Sequence, residues 1–286
     1  MRQLSRHQGR KEKGGRQILT LTRAKLSRGS AGEPLPTVFE SLAAEGIHFR
    51  RGQLTLIAAA PGVGKSVLAL TKSLRSGSPG FYASADTDAF TMYLRAGAMY
   101  TGWSTSDIEH AVNHGNTAQV DALLEARSDV RMDFEGRISI DNLEADLMAY
   151  AMTYGEWPHF IVIDNISNME SEGEGYQALE LSCDYLHEMG RTTGAAIIAL
   201  HHVTGEYDDG IKPVPLSGLR GKISKVPEMI LTLFRNQESN RLFVCPVKNR
   251  TGKNAAAANW WVTLDYDPSR MRLADLPAPP AEPQYG

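Results

Sequence analysis

Cysteine is nearly absent: Cys183 and Cys245 are the only two among 286 residues. Each lies inside an apolar or helix-like stretch, which argues against a disulfide framework or a thiolate metal site and makes both packing residues. Long apolar runs are also missing. No stretch approaches the ~18–20 residues that a membrane-spanning helix needs, and the first residues lack the apolar centre of a secretion signal. The expectation is a soluble, cytoplasmic chain with no membrane partner. A broad basic surface is lacking too, since the net charge is −3. That average hides an asymmetry. Residues 1–28 hold nine Lys and Arg against Glu12 alone, which leaves 21 basic and 32 acidic residues and a charge of −11 on the remainder. Any nucleic-acid contact of the body must therefore be local. The arm could touch nucleic acid or another subunit, or simply be solvated.

With 42% hydrophobic residues the chain can bury one sizeable core. Gly32-Glu33-Pro34-Leu35-Pro36 reads as a linker, because two prolines and a glycine remove donors and favour extended backbone. The expected organisation is a basic arm and linker over 1–35, one domain over 36–275, and a Pro- and Ala-rich disordered tail over 276–286. Gln53-Leu54-Thr55-Leu56-Ile57-Ala58 is a short run of strand formers, and further buried strands are expected at 80–83, 137–140, 160–163, 195–200, 229–234 and 242–247. Leu143, Leu147, Tyr150, Ala151 and Tyr154 have helical spacing, as do Ala178, Leu181, Tyr185, Leu186 and Met189. Such alternation predicts an α/β fold, a mostly parallel central sheet flanked by helices.

Between the strand at 53–58 and the helical run Val67-Leu68-Ala69-Leu70 stands Ala59-Ala60-Pro61-Gly62-Val63-Gly64-Lys65-Ser66. In the pattern G-x-x-x-x-G-K-[S/T], small residues let backbone N–H groups turn onto phosphate beside the positive end of the next helix. Residues Ala60, Pro61, Gly62, Val63, Gly64, Lys65, Ser66 and Val67 are the expected nucleotide cradle, for ATP. Lys65 would bridge the β and γ phosphates, and the Ser66 hydroxyl would ligate Mg2+. Ala59 departs from the pattern's first glycine.

Phe160-Ile161-Val162-Ile163-Asp164 is an apolar strand ending in a carboxylate. In a parallel sheet that end faces the ligand crevice, so Asp164 is the second expected Mg2+ residue, although a strand can also end in Asp to start a turn. Gly80-Phe81-Tyr82-Ala83-Ser84-Ala85-Asp86 ends the same way. Asp86 is the candidate base for an attacking water, and its alternative role is an N-cap, which Thr87 or Asp88 could take instead.

The order of these pieces resembles the RecA-like ATPases and, within them, the motor domain of DnaB-family replicative helicases and compact RepA-type hexameric helicases. The resemblance covers residues 36–273. Pro36-Thr37-Val38-Phe39-Glu40-Ser41-Leu42 and Arg51-Gly52-Gln53-Leu54 are similar to that motor's entry segment. Alanine commonly stands in the position of Ala59 in that family, and Ser84-Ala85-Asp86 with Leu94-Arg95 resembles the surroundings of its catalytic glutamate, one methylene longer than Asp86. In Ala199-Leu200-His201-His202, His202 takes the place of the residue that senses the γ phosphate. A metal site at the two histidines with Asp208 and Asp209 is the alternative, which neighbouring residues on a strand serve poorly. Pro215-Leu216-Ser217-Gly218-Leu219-Arg220-Gly221-Lys222 resembles the central DNA-binding loop and implies phosphate contacts from Lys212, Arg220, Gly221, Lys222 and Lys225. Val247-Lys248-Asn249-Arg250 resembles the element that reaches a neighbour's nucleotide, with Arg250 as the finger and Lys248 beside it.

The resemblance implies a RecA-like P-loop core, a homohexameric ring with ATP and Mg2+ at subunit interfaces, single-stranded DNA in its channel, and a loader or primase as partner. A recombinase or recombination mediator on the same core, and an ATP-switched loading module without unwinding, remain the alternatives.

Overall fold

The computed structural model describes residues 32–277, apart from 128, 173–174, 220–222 and 237. The basic arm at 1–31, the tail at 278–286 and the candidate DNA residues Arg220, Gly221 and Lys222 lie outside the described residues. Nine strands form one sheet in the order β3-β2-β4-β5-β1-β6-β7-β8-β9. They are β1 (Leu54–Ala59), β2 (Gly80–Ser84), β3 (Val130–Asp133), β4 (Phe160–Asp164), β5 (Ala196–His202), β6 (Met229–Asn236), β7 (Arg241–Asn249), β8 (Val262–Asp267) and β9 (Arg272–Asp275). β3 through β6 in that spatial order are parallel, and β6 to β9 continue as an antiparallel meander.

The parallel strands are apolar on both faces because helices cover both. Ile57, Val162, Ile198 and Leu200 join one cluster, packed by α2 (Lys65–Arg75), α3 (Ala89–Thr101), α4 (Thr105–Asn113) and α5 (Ala118–Glu125). Leu56, Ile161, Ile163 and Ile197 join the other, under α6 (Ile140–Tyr154) and α7 (Tyr176–Thr193). A short α1 (Glu40–Ala44) precedes the sheet. Gly80 lets β2 lie against Phe160 of β4: a Cβ there would stand 2.0 Å from the ring. Both cysteines are buried and unpaired. No helix among the described residues is long and apolar enough to cross a membrane.

Two expectations change. Residues 137–140 are not a strand. Ile138 makes a single bridge to Met169, and Ser139 then caps α6 by accepting from the Asn142 N–H. The strand in that region is β3, an edge strand with only Val130 fully buried, so it carries no continuous apolar run to reveal it. The segment at 32–36 is also packed. Pro34 bridges Arg50, and Leu35 is buried in the core.

Candidate functional site

The loop after β1 turns on Gly62 and Gly64, whose φ values of +73° and +131° are ones that a side chain would strain. Ala59 needs no such freedom. It is the last residue of β1, paired with His202 and fully buried, so that position demands a small residue and admits a Cβ. α2 begins at Lys65 with Gly64 as its N-cap and no side-chain cap, which leaves its first-turn N–H groups for an anion.

Lys65 is 5% exposed. Its Nζ donates to the carbonyl oxygens of Ala59 (2.9 Å) and Ala60 (3.0 Å) and to Nδ1 of His202 (3.1 Å). Burial pulls its pKa down to about 8 against the opposing charges of Asp164 and Asp86. An ammonium only donates, so Nδ1 of His202 is the acceptor and Nε2 carries the hydrogen. That Nε2 donates to Oδ2 of Asp86 at 3.1 Å. The Asn165 side-chain amide donates to the same oxygen, and its own Oδ1 accepts from the Ser167 N–H at 2.7 Å. Oδ1 of Asp86 has no partner among the described residues, so one oxygen anchors the carboxylate and the other is open. Asp88, not Asp86, caps α3, through the Thr91 N–H.

Asp164 closes β4 at 1% exposure. Tyr82 donates to it at 2.9 Å and the Ser66 hydroxyl also bonds to it. Burial raises its pKa, and the bonds from Ser66 and Tyr82 pull the other way. A buried carboxylate beside a hydroxyl is a hard-oxygen pair that fits Mg2+. A cavity of about 280 Å3 continues from the loop to Arg95, Arg235, Tyr266, Pro268 and Met271. The Arg235 guanidinium lies 5.6 Å from the Tyr266 ring centre. Asn165, Arg235 and Tyr266 were not legible as site residues in the sequence. The two wall residues come from β6 and β8, far along the chain from the loop, and only the position of Asn165 directly after Asp164 was a signal.

His201 lines a second cavity, of about 210 Å3, and His202 borders both that cavity and the one at the phosphate loop. Lys248 and Arg250 lie at the other end of the sheet. Asn249 pairs with Met229, which pairs with Thr55 at the start of β1, whereas the phosphate loop follows Ala59 at its finish. Arg250 is held by Glu228 at 3.3 Å, and the same carboxylate accepts from His187 (3.1 Å) and from the Leu54 N–H (3.0 Å). Lys248 Nζ donates to the carbonyls of Ser224 (2.7 Å) and Lys225 (2.9 Å). Lys225 is exposed, as is Lys212, which stands 4.0 Å from Asp209. The loop that carries Lys212 touches the phosphate loop, because Gly210 packs on Val63 so closely that a Cβ would come within 2.4 Å.

A nine-stranded sheet of this order with a glycine–lysine–serine loop after β1 defines a RecA-like P-loop ATPase. The model of the family "ATPase: KaiC" matches residues 38–206, and the chain belongs to that family. It is 43% identical over 258 residues to the Gene 65 protein of Mycobacterium phage L5, a match spanning 87% of this chain and 96% of that protein. The Gene 65 protein of Mycobacterium phage D29 is 40% identical over 230 residues, 78% of this chain and 99% of that protein. Among solved structures, a DnaB-like replicative helicase superposes with a TM-score of 0.75 at 16% identity, over 91% of this chain and 68% of its own. An ATPase domain solved by itself superposes at 0.73 and 18% identity over 90% of this chain and 96% of its own, and the RadB recombinase at 0.58 and 17% over 85% and 100%.

Proposed function

We propose that the chain is an ATP-driven helicase motor of DnaB type, one subunit of a hexameric ring that moves along single-stranded DNA during replication. The observation that carries this reading is the place of Arg250. At ~3.3 Å per residue, the length of β1 puts this arginine roughly 17 Å from the phosphate loop of its own chain, too far to meet its own nucleotide. An arginine finger at this position can serve only a neighbour.

In this reading ATP lies between Lys65, Ser66, Asp86 and Asp164 of one subunit and Arg250 and Lys248 of the next. Lys65 leaves its carbonyl partners for the β and γ phosphates. The open Oδ1 of Asp86 takes the proton of the attacking water, while Asn165 and His202 hold its other oxygen and so compensate for a carboxylate one methylene shorter than glutamate. Ser66 and Asp164 would hold Mg2+, which when bound neutralises phosphate charge. Arg250 meets the charge that develops on the transferring group, an effect of ~10³ to 10⁵ in rate. His202 reports the γ phosphate, and the contact of Gly210 with Val63 links that signal to the loop carrying Lys212, Arg220, Gly221, Lys222 and Lys225. These grip the phosphates of single-stranded DNA. The motor spans 36–275 with the segment at 32–35 packed on it, and the basic residues that precede this segment serve a contact with a neighbouring subunit. A loader or a primase is the partner to seek, since the DnaB-like helicase above was solved with attention to its interactions with primase.

The likeness to RadB favours a recombinase as the second reading. Negative-stain imaging with ATP analogue and single-stranded DNA separates closed rings from filaments. Lys65→Ala and Arg250→Ala should each abolish ATP turnover, and an equal mixture should recover part of it through hybrid interfaces. Undiminished turnover by pure Arg250→Ala would sink the motor with a shared site.

A further inference from the structure

Glu228 directly precedes β6, and all of its polar atoms are engaged. Its N–H donates to the Leu54 carbonyl (3.0 Å) and its Oε2 accepts from the Leu54 N–H (3.0 Å), which fixes it to the first residue of β1. Its carbonyl accepts from the Arg250 N–H (3.2 Å), and its Oε1 accepts from the Arg250 guanidinium (3.3 Å) and from Nε2 of His187 on α7 (3.1 Å). The Glu228 side chain is only 12% exposed. The turn after β7 that carries Arg250 is fastened elsewhere as well. The Asn249 amide donates to the Gly46 carbonyl (3.1 Å), and the Lys253 N–H donates to the Glu45 carbonyl (3.2 Å).

We propose that Glu228 is the positioning residue of the Arg250 finger, its carboxylate setting the guanidinium in advance for a neighbouring subunit's nucleotide. The proposal rests on the shared-site reading above and adds the group that readies the finger before subunits meet. The Arg250 side chain is 55% exposed, and Oε1 of Glu228 is its only hydrogen-bond partner among the described residues. Without that bond an arginine on a surface turn samples many rotamers, and that freedom must be lost at the moment phosphate charge develops. Holding one nitrogen leaves Nη2 and Nε for phosphate oxygens. The two carboxylate oxygens divide the work. Oε2 serves β1 and Oε1 serves the finger, so the contact with Arg250 is separable from the contact that supports the sheet. Because β1 ends at the phosphate loop, the finger offered to a neighbour is anchored to the strand that carries the subunit's own cradle.

Glu228→Gln tests this division. A buried backbone N–H needs an acceptor, so the amide oxygen takes the place beside Leu54 and the amide nitrogen faces Arg250, donor against donor. The full chain is assayed for steady-state ATP turnover, alone and in equal mixtures with Lys65→Ala and with Arg250→Ala. Glu228→Gln should lower kcat by about 10- to 100-fold with KM little changed, the scale of a misplaced catalytic group. Mixed with Lys65→Ala it should regain turnover, because its own phosphate loop is sound and Lys65→Ala supplies a sound finger. Mixed with Arg250→Ala it should regain none, because every finger in that mixture is impaired. Glu228→Asp, which keeps the charge but draws the oxygens back by one methylene, should follow the same pattern and carries the test if Glu228→Gln fails to fold. Thermal midpoints of the variants establish folding. An undiminished kcat, or recovery with Arg250→Ala in place of Lys65→Ala, overturns the positioning role and leaves the motor standing, since support of β1 alone would group Glu228→Gln with Lys65→Ala. If Lys65→Ala and Arg250→Ala fail to restore each other, the shared site falls and the positioning role falls with it.

Discussion

Raising the pH from 7.5 to 9.5 should weaken ATP binding roughly 25-fold, through Lys65. In the empty site its ammonium is enclosed by two carbonyls and a histidine nitrogen and titrates at about 8. Phosphate oxygens favour the charged form, so the bound complex keeps its proton throughout this window. Binding then scales with the protonated fraction of the free site, about three quarters at pH 7.5 and about 3% at pH 9.5. The sign is opposite for the stability of the empty protein. Folding lowers the lysine pKa from 10.5, so between pH 8 and 10.5 the unfolded chain binds more protons and stability rises with pH. Lys72, also near 8 through burial, shares in the stability effect but not in the binding effect, because its Nζ donates to the Pro36 carbonyl over the Phe49 ring. Titration with a fluorescent ATP analogue across this range measures the slope. Lys65→Arg, charged at every pH used, should give a flat profile. A flat wild-type profile, or a slope retained in Lys65→Arg, refutes the assignment of the buried charge to this step.

Asn165→Ala should lower kcat for ATP by about 10- to 100-fold with little change in KM, since one of two bonds that orient the Asp86 carboxylate is lost. Steady-state ATPase kinetics decide this, and an unchanged kcat would remove Asn165 from the positioning of the base. Gly252→Ala should destabilise the fold by about 1–3 kcal/mol in denaturant unfolding, because its Cβ would meet the Gly46 carbonyl oxygen at 2.4 Å and the Asn249 amide at 2.6 Å. An unshifted midpoint would mean that this backbone contact is not rigid. Arg220→Ala with Lys222→Ala should reduce the log–log salt slope of single-stranded DNA binding by about 1.4, the share of two phosphate contacts. An equal slope would take the loop out of the DNA path.

Much of the centre was legible because its signals are local. β1, β2, β4 and β5 are buried on both faces, so each reads as an apolar run, and the glycine loop sits where one of them ends. β3 escaped because an edge strand shows one face to water, and the false strand at 137–140 was an apolar residue beside a helix cap. β8 alternates buried and half-buried residues and β9 buries only Leu273, so at the meander's outer end no apolar run forms. The site divides along the same line. Lys65, Ser66, Asp86 and Asp164 follow strand ends and could be named from neighbours in sequence. Arg235 and Tyr266 could not, nor could the pairing of Asn165 and His202 on one oxygen of Asp86, because those contacts join segments whose separation along the chain carries no pattern.

The amino-acid sequence by itself determined the core, the phosphate loop and the carboxylates beside it, since backbone conformation and burial are set within a few residues by glycine, by apolar period and by strand length. Only the tertiary structure decided which oxygen of Asp86 is free, that His202 stands between Lys65 and Asp86, and that Arg250 stands at the far end of β1 from its own phosphate loop. Those are distances across a sheet, and they exist only once strands distant in sequence have been paired in a particular order and register.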